Sequence, residues 1–324
     1  MNLYRLMDLK IDYAFKQLFG NEQNKRITIT FLNAILKRTE NNYICDLEFK
    51  NTEYEGEYAD DKLSRLDILA LTDSQEQINI EIQFSNRYDM VKRSLYYWSR
   101  IYKEQLKRSE TYIELRPTIM INILNFNQFR RETTKFHTTF RLYEQEEQFQ
   151  LTDVIELHFI EMRKLLVHWK QNKLNPWDNI LARWLLLLGA VDKQAGKVYE
   201  DIYQELEAIA MKDDVLKEAF DVWELLSADE NKRLQYESRL KVALDEYAAK
   251  REAEIRLKMA EEEGLKRGME KGMEKGMEIG IEKGIEKSRI EVAKNLLQEG
   301  LRFDVIMKAT GLTREELERL RIEK

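Results

Sequence analysis

Two neighbouring runs decide the fold of this chain: Ser64-Arg65-Leu66-Asp67-Ile68-Leu69-Ala70-Leu71 and Gln77-Ile78-Asn79-Ile80-Glu81-Ile82-Gln83-Phe84. Both are rich in apolar and β-branched residues, and turn-forming residues occupy positions 72–74 between them. This pattern predicts an antiparallel β-hairpin. Each run also carries a carboxylate where an ordinary buried strand would carry an apolar side chain.

Those two carboxylates are Asp67 and Glu81. Side chains alternate with a period of two along a strand, so Glu81 and Gln83 share a face. Asp67 lies on that same face if the numbers of opposed positions sum to an even number, so that 67 faces 81. A three- or five-residue loop, or one bulge, gives this register, whereas a four-residue loop does not. Burying Asp67 without a compensating charge or hydrogen bond would cost roughly several kcal/mol of folding free energy.

Two adjacent carboxylates repel each other unless a cation lies between them. Mg²⁺ is held by one or two carboxylates together with water and substrate phosphate, so the pair suggests a magnesium site for phosphoryl chemistry. The alternative is that Asp67 and Glu81 are rim residues with ordinary hydrogen bonds. Residue type and spacing alone do not decide between the two.

The composition sets broader limits. A chain of 324 residues is long enough for two or more domains. No apolar run approaches the length of a membrane span, and the N-terminus lacks a signal-peptide pattern, so we expect a soluble, cytoplasmic protein without membrane contact. The single cysteine, Cys45, excludes internal disulfides and is expected to be a small buried residue.

The net charge of −6 is unevenly distributed. The stretch 87–108 is strongly basic and studded with aromatic residues, which is typical of a helix that contacts a phosphate backbone. The alternative is an amphipathic helix that packs its aromatics on the sheet and leaves a solvated basic face; both can hold. The residues expected to contact DNA are Arg87, Lys92, Arg93 and Arg100.

Other periodic segments complete an α/β core that ends near residue 170. We expect helices at 8–19 and 23–36, strands at 43–53, 118–124 and 140–143, and a closing strand at 154–160. Beyond residue 170, helices are expected at 177–188, with Pro176 at the start, and at 199–211 and 215–226. His137, His158 and His168 have no metal-ligand spacing and are expected to be packed or exposed.

The order of several short motifs resembles the recombination-promoting nuclease (Rpn) family of transposase-like proteins, within the PD-(D/E)xK nuclease superfamily. The motifs are Asp12-Tyr13-Ala14-Phe15-Lys16-Gln17-Leu18-Phe19-Gly20, Phe31-Leu32-Asn33-Ala34-Ile35-Leu36, Lys62-Leu63-Ser64-Arg65-Leu66-Asp67-Ile68, Ile80-Glu81-Ile82-Gln83, and residues 93–97. The resemblance implies a restriction-endonuclease-like αβββαβ core that binds Mg²⁺ and cleaves DNA, in recombination or mobile-element biology. It also implies that Asp67 and Glu81 are the metal-binding acids and that Gln83 replaces the superfamily's lysine.

This replacement has chemical consequences, as does Leu66 in place of the superfamily's proline. Gln83 can orient a water molecule but supplies no charge and cannot act as a base. The metal must then provide most of the activation. Lys16 or Lys62 is a candidate for the missing positive charge, and Asp12 for a further acid. A solvated lysine or a helix-capping aspartate is the plainer interpretation of each.

Glycine recurs every fourth residue from Gly264 to Gly284, each followed by Leu, Met or Ile. Each glycine inside a helix costs about 1 kcal/mol relative to alanine, so a solitary helix needs compensation. The close packing of a helix from a second copy would offset this cost. The alternative is that the segment is a flexible linker. Residues 289–324 are spaced like a small helix-turn-helix, whose acidic second helix favours protein contact over DNA reading.

The sequence thus predicts four regions: a nuclease-like core at 1–170, a helical segment at 171–250, a glycine-repeat helix or linker at 251–288, and the helical tail at 289–324. The first functional hypothesis is a Mg²⁺-dependent DNA endonuclease that forms a homo-oligomer, a dimer, through its C-terminal region. The second is a catalytically inactive DNA- or protein-binding oligomer that keeps the nuclease fold. A third is a structural oligomer whose main function lies in the repeat.

Overall fold

The structure is a computed structural model that describes residues 3–54, 64–86, 89–106 and 109–322. The chain forms two compact units, Met1–Lys250 and Arg251–Lys324. The four-region division expected from the sequence remains a prediction. No helix in the described ranges is long and apolar enough to cross a lipid bilayer.

Helices of the first unit surround a sheet. The helices are α1 (Asp12–Phe19), α2 (Lys25–Leu36), α3 (Met90–Glu104), α4 (Met162–Lys170), α5 (Ile180–Gly189), α6 (Glu200–Ala210), α7 (Asp214–Ala228) and α8 (Glu230–Gln298), the last of which continues into the second unit. The strands are β1 (Leu47–Phe49), β2 (Glu53–Tyr54), β3 (Ser64–Arg65), β4 (Ile68–Thr72), β5 (Gln77–Gln83), β6 (Thr118–Leu124), β7 (His137–Phe140), β8 (Ile155–Glu161), β9 (Val191–Asp192) and β10 (Lys197–Val198).

Among these strands, six form one mixed sheet in the order β1-β4-β5-β6-β8-β7. Strands β1, β4 and β5 are antiparallel neighbours, and β5, β6 and β8 run parallel. Helix α3 connects the parallel strands β5 and β6, as a parallel pair requires. The expected αβββαβ core with a helical extension is therefore confirmed.

The hairpin register is confirmed as well. Ile68 opposes Ile80 and Leu69 opposes Asn79, so the same register places position 67 opposite position 81. The backbone N–H of Thr72 donates to the carbonyl of Glu76 across the loop, at 3.0 Å. Gln75 adopts a left-handed conformation, with φ of 65°, as the last residue of a three-residue hairpin loop commonly does.

The first strand of the hairpin is not continuous, which corrects the expected single strand over 64–71. It divides into β3 and β4, with Leu66 and Asp67 between them. Between the pairs Phe49–Ala70 and Glu53–Arg65, three residues (50–52) face four residues (66–69). The extra residue makes this a bulge, which bends a strand and redirects a side chain. Asp67 lies at that bulge.

The two faces of the sheet pack against different helices. Ile78, Ile80 and Ile82 of β5 belong to a large core cluster shared with α1, α2 and α5–α7. The opposite face packs on α3 through a smaller cluster that includes Met90 and Ile101. Because side chains alternate, Glu81 points to the face covered by α3.

Several expected boundaries and positions were wrong. The first helix begins at Asp12 and not at Asp8, and residues 8–10 are buried instead. Helix α5 begins after Asn179, whose side chain accepts a hydrogen bond from the backbone N–H of Ala182, so Pro176 lies before the helix. Strand β8 is interior, and β7 is the edge of the sheet. Cys45 is exposed, not buried.

The second unit contains the glycine repeat and a compact tail. All six repeat glycines lie within α8. A Cβ placed on any of them would have no neighbour within 4 Å. Helices α9 (Phe303–Thr310) and α10 (Arg314–Ile322) meet at Gly311, which has φ of 73°. Ala293, Ile306 and Leu317 form the small core of this tail.

Candidate active site

The two hairpin carboxylates meet at the bulge. The backbone N–H of Asp67 donates to Oε1 of Glu81 at 3.2 Å, and the backbone N–H of Ile82 donates to Oδ2 of Asp67 at 2.9 Å. The Asp67 side chain is 11% exposed and that of Glu81 is 2% exposed. The bulge thus places two buried acidic groups side by side.

Each carboxylate also has a cationic partner. Nζ of Lys16, on α1, lies 3.1 Å from Oδ1 of Asp67 and 3.3 Å from the carbonyl oxygen of Leu66. The guanidinium of Arg93, on α3, lies 3.1 Å from Oε2 of Glu81. Two helices on opposite faces of the sheet therefore each supply one cation to the acid pair.

Burial disfavours the ionised form of both acids. Burial and the neighbouring Asp67 carboxylate raise the pKa of Glu81 to about 8, against the lowering effects of Arg93 and of the hydrogen bonds from the Asp67 N–H and Asn79. Burial also raises the pKa of Asp67, against the lowering effect of Lys16 and the Ile82 N–H; Asp12 adds to the rise. Carboxyl groups whose pKa is raised in this way, beside a cleft, are typical of functional sites.

The donor set fits a divalent cation. Carboxylate oxygens are the ligands that Mg²⁺ and similar hard ions prefer, and a nearby positive charge would reverse the pKa shifts described above. Oδ1 of Asn79, next to Glu81 on the same face, is buried and accepts no hydrogen bond from any described residue. In the described part of the chain, however, no group of three or more His, Cys, Asp or Glu side chains has metal-site geometry. Any cation here would rest on two carboxylates, backbone oxygens and water.

A cleft of about 300 Å³ opens beside the pair. Its lining includes Asp67, Gln83, Asp12, Lys16 and Arg93. The structure thus brings together all three residues expected to carry the chemistry and two of the three expected auxiliaries. The third auxiliary, Lys62, lies outside the described residues.

The expected DNA-contacting residues divide into three groups. Arg93 lies in the cleft and contacts Glu81. Lys92 is 85% exposed on α3, and Arg100 pairs with Glu104 at 3.2 Å. Arg87 lies outside the described residues. Sequence reasoning missed the contact between Arg93 and Glu81, because nothing in a run of seven basic residues distinguishes the one that turns toward the sheet.

A second polar cluster lies at the edge of the sheet, away from the cleft. Nδ1 of His158 is 2.8 Å from Nε2 of His137, and Nε2 of His158 is 2.7 Å from Oε1 of Glu156. Burial lowers the pKa of His137 to about 3, so its imidazole is neutral. Both nitrogens of His158 are used within the chain of hydrogen bonds, which agrees with the expectation of packed histidines.

Two family models match the chain. The model described as PD-(D/E)XK nuclease family transposase matches residues 9–253, which include the whole cleft. The model described as the C-terminal HTH domain of the Rpn/YhgA-like nuclease family matches residues 286–322, which include α9 and α10. No curated protein and no solved structure shows significant similarity to the chain.

Proposed function

Since the chain belongs to the family of PD-(D/E)XK nuclease transposases, we propose that it is a metal-dependent DNA endonuclease whose metal-binding residues are Asp67 and Glu81. The observation that carries this proposal is the pair of buried carboxylates held together at the bulge beside an open cleft. We further propose Mg²⁺ as the cation, a cytoplasmic location and a role in recombination or mobile-element biology.

The chain's own groups would divide the work of phosphodiester hydrolysis. A divalent cation held by Asp67 and Glu81 would lower the pKa of its bound water and offset the charge that develops on the phosphate. Gln83, which lines the cleft, would orient the attacking water through its amide. Lys16 and Arg93 hold the two carboxylates from opposite sides and supply positive charge that Gln83 lacks.

The test is cleavage of supercoiled plasmid DNA with Mg²⁺, Mn²⁺ or EDTA. Cleavage should require a divalent ion and fall at least about 100-fold in Asp67→Asn, since loss of a metal ligand costs no less than loss of an outer-shell partner. Asp73→Asn is the matched control, because Asp73 is an exposed residue in the loop of the same hairpin. Absence of cleavage under every divalent ion, or equal rates in both variants, would refute the proposal.

A second candidate is an inactive DNA- or protein-binding oligomer that keeps the nuclease fold. One observation favours it: all four oxygens of the two carboxylates already accept hydrogen bonds or ion pairs from protein groups. A cation must therefore compete with Lys16 and Arg93. DNA binding without cleavage, unchanged in Asp67→Asn, would establish this candidate.

We also propose a homodimer formed through the glycine repeat. The helix carries six glycines, and no described residue packs into the space beside them. It also carries exposed apolar residues such as Met269, Met273 and Met277. A facing helix would bury both. Static light scattering at micromolar concentration should give the mass of a dimer, and Met273→Glu should halve it, whereas Glu274→Gln should not. A monomeric mass for the native chain would refute the dimer.

The tail matches a family model described as a helix-turn-helix domain. Its role as a protein-contact module remains a prediction.

A further inference from the structure

Helix α8, which lies beyond the core that the sequence motifs define, also lines the cleft. Arg239, Val242, Ala243 and Glu246 of this helix line the same cleft as Asp67 and Gln83. The last three lie three, four and seven residues after Arg239, so all four share one face of the helix. The helical segment therefore contributes residues to the candidate active site.

This part of α8 is fixed to the core. The hydroxyl of Tyr236, which is buried, accepts a hydrogen bond from the backbone N–H of Asp8 at 2.8 Å. Leu240, Ala243 and Leu244 pack against the large core cluster. Farther along, the ammonium of Lys250 donates to the carbonyl oxygen of Asn86. Contacts before and after Arg239 along the helix thus hold this residue at the cleft.

Most cationic groups at the cleft already have anionic partners. Lys16 contacts Asp67, Arg93 contacts Glu81, and the buried Lys10 contacts Asp8 at 2.8 Å. Gln83 is neutral. Arg239 differs: its side chain is exposed, and it forms no ion pair or hydrogen bond with any described residue. Its guanidinium remains available for a ligand.

A phosphodiester in the cleft would need such a group. Each phosphate carries one negative charge, and an arginine can bind two of its oxygens at once through parallel N–H donors. Lys16 and Arg93 are already paired with Asp67 and Glu81. A further positive charge that lines the same cleft would draw the DNA strand in and hold its phosphate near the two acids.

We propose that Arg239 is a substrate-binding residue that contacts a phosphate of the DNA strand in the cleft. The proposal rests on the proposed function for the identity of the substrate, but it makes a separate claim about α8. The segment after the core is part of the nuclease site, and a chain ending near residue 170 would lack one of its phosphate contacts.

Binding of a fluorescently labelled 20-base-pair duplex, measured by anisotropy in EDTA, tests this claim without any metal or turnover. Arg239→Ala should weaken binding about 10- to 100-fold, as expected for the loss of a charge-assisted hydrogen-bonding group. The slope of log affinity against log salt should become shallower by about 1, because one phosphate contact is lost. Arg239→Lys should recover part of the affinity.

Lys241→Ala is the matched control, because Lys241 is an exposed residue of the same helix that does not line the cleft. It should leave affinity and salt slope within about twofold of the native values. Equal effects of Arg239→Ala and Lys241→Ala would overturn the proposal, as would a native chain that does not bind DNA. Tryptophan fluorescence confirms that each variant is folded.

The outcomes for the two proposals are distinguishable. If the native chain cleaves plasmid DNA and Arg239→Ala binds and cleaves it as well as Lys241→Ala does, the endonuclease stands and Arg239 has no role. If the native chain never cleaves but Arg239→Ala binds DNA more weakly than Lys241→Ala, the phosphate contact stands and the endonuclease fails. With cleavage present, kcat/KM should fall by about the same factor as the affinity.

Discussion

Replacing Glu81 with glutamine should change how the stability of the first unit depends on pH. Glu81 is buried, and its pKa in the folded state is about 8, compared with 4.5 as the ordinary value. Between these values the unfolded chain has lost the proton and the folded chain keeps it. The folded state is therefore favoured at low pH, and this stabilisation is lost as the pH rises toward 8.

The size of the effect follows from the shift. One pKa unit corresponds to about 1.4 kcal/mol, so between pH 5 and pH 8 the native protein should lose about 4 kcal/mol of unfolding free energy through Glu81. Glu81→Gln cannot ionise and should lose much less over the same range. The variant should be close to the native protein in stability at pH 5 and more stable than it near pH 8, apart from an offset for the changed contact with Arg93.

Urea unfolding in EDTA at four pH values between 5 and 8.5 measures this difference. All five tryptophans lie between residues 98 and 223, so their fluorescence reports on the first unit. Glu48→Gln is the control, because Glu48 is an exposed strand residue whose side chain is 64% accessible. Parallel pH profiles for the native protein and Glu81→Gln would show that Arg93 keeps Glu81 ionised, which would refute the reasoning.

The same measurement with Mg²⁺ tests the metal site. A carboxylate must be ionised to bind a cation, so stabilisation by Mg²⁺ should increase with pH up to about 8 in the native protein. It should be largely absent in Glu81→Gln. An equal response of both proteins to Mg²⁺ would place its binding elsewhere.

Three further predictions concern other parts of the first unit. Asp8→Ala should lower the unfolding free energy by about 3–5 kcal/mol in urea, since it leaves the buried ammonium of Lys10 without its carboxylate; a loss under 1 kcal/mol would contradict this. The neutral His137, with its pKa lowered to about 3, should destabilise the fold as the pH falls below about 6.5, so His137→Phe should show a flatter loss of stability between pH 6.5 and 4 than the native protein. Cys45 is exposed and should react with a thiol reagent in the folded protein, without the urea that a buried thiol would need.

The hairpin was predictable because its determinants are local. Alternation along 77–84 fixes the faces, and the turn residues limit the loop to a few lengths. If Asp67 and Glu81 must lie on the same face of the sheet, position 67 opposes position 81, and the structure confirms this register. The position of the core helices was predictable to within a few residues for the same reason, since each has its own apolar periodicity.

The features that sequence reasoning missed depend on distant partners. The break at Leu66 and Asp67 arises because the strand changes partner from β2 to β1, and nothing within 64–71 encodes that change. The late start of α5 has a similar cause. The guanidinium of Arg183 donates to the carbonyl oxygens of Pro176 and Trp177, which holds these residues in a turn before the helix. Pro176 alone predicts a helix start and gives no sign of the contact with Arg183.

The candidate site was predictable in its acids but not in its cations. Asp67 and Glu81 stand out because carboxylates interrupt apolar strands. Arg93 and Arg239 do not stand out, because each lies in a helix with many charged residues and only the packing of that helix decides which one faces the cleft. Lys16 was predictable in part. The motif at 12–20 made it a candidate for the site, but only the fold brings it into contact with Asp67.

The energetics of the acid pair favour a functional role over a structural one. Burial raises the pKa of both carboxyl groups, and the Asp67 carboxylate adds to the rise at Glu81, so the site stabilises the fold less than apolar side chains of similar size would. Such side chains fit this strand, since Ile80 and Ile82 flank Glu81 and are fully packed. The bulge at Asp67 interrupts strand pairing and adds to the cost. A structural role explains none of these costs, whereas a cation bound between the two acids would lower both pKa values and turn the repulsion into attraction. The arrangement is therefore best understood as a site whose favourable state includes a ligand.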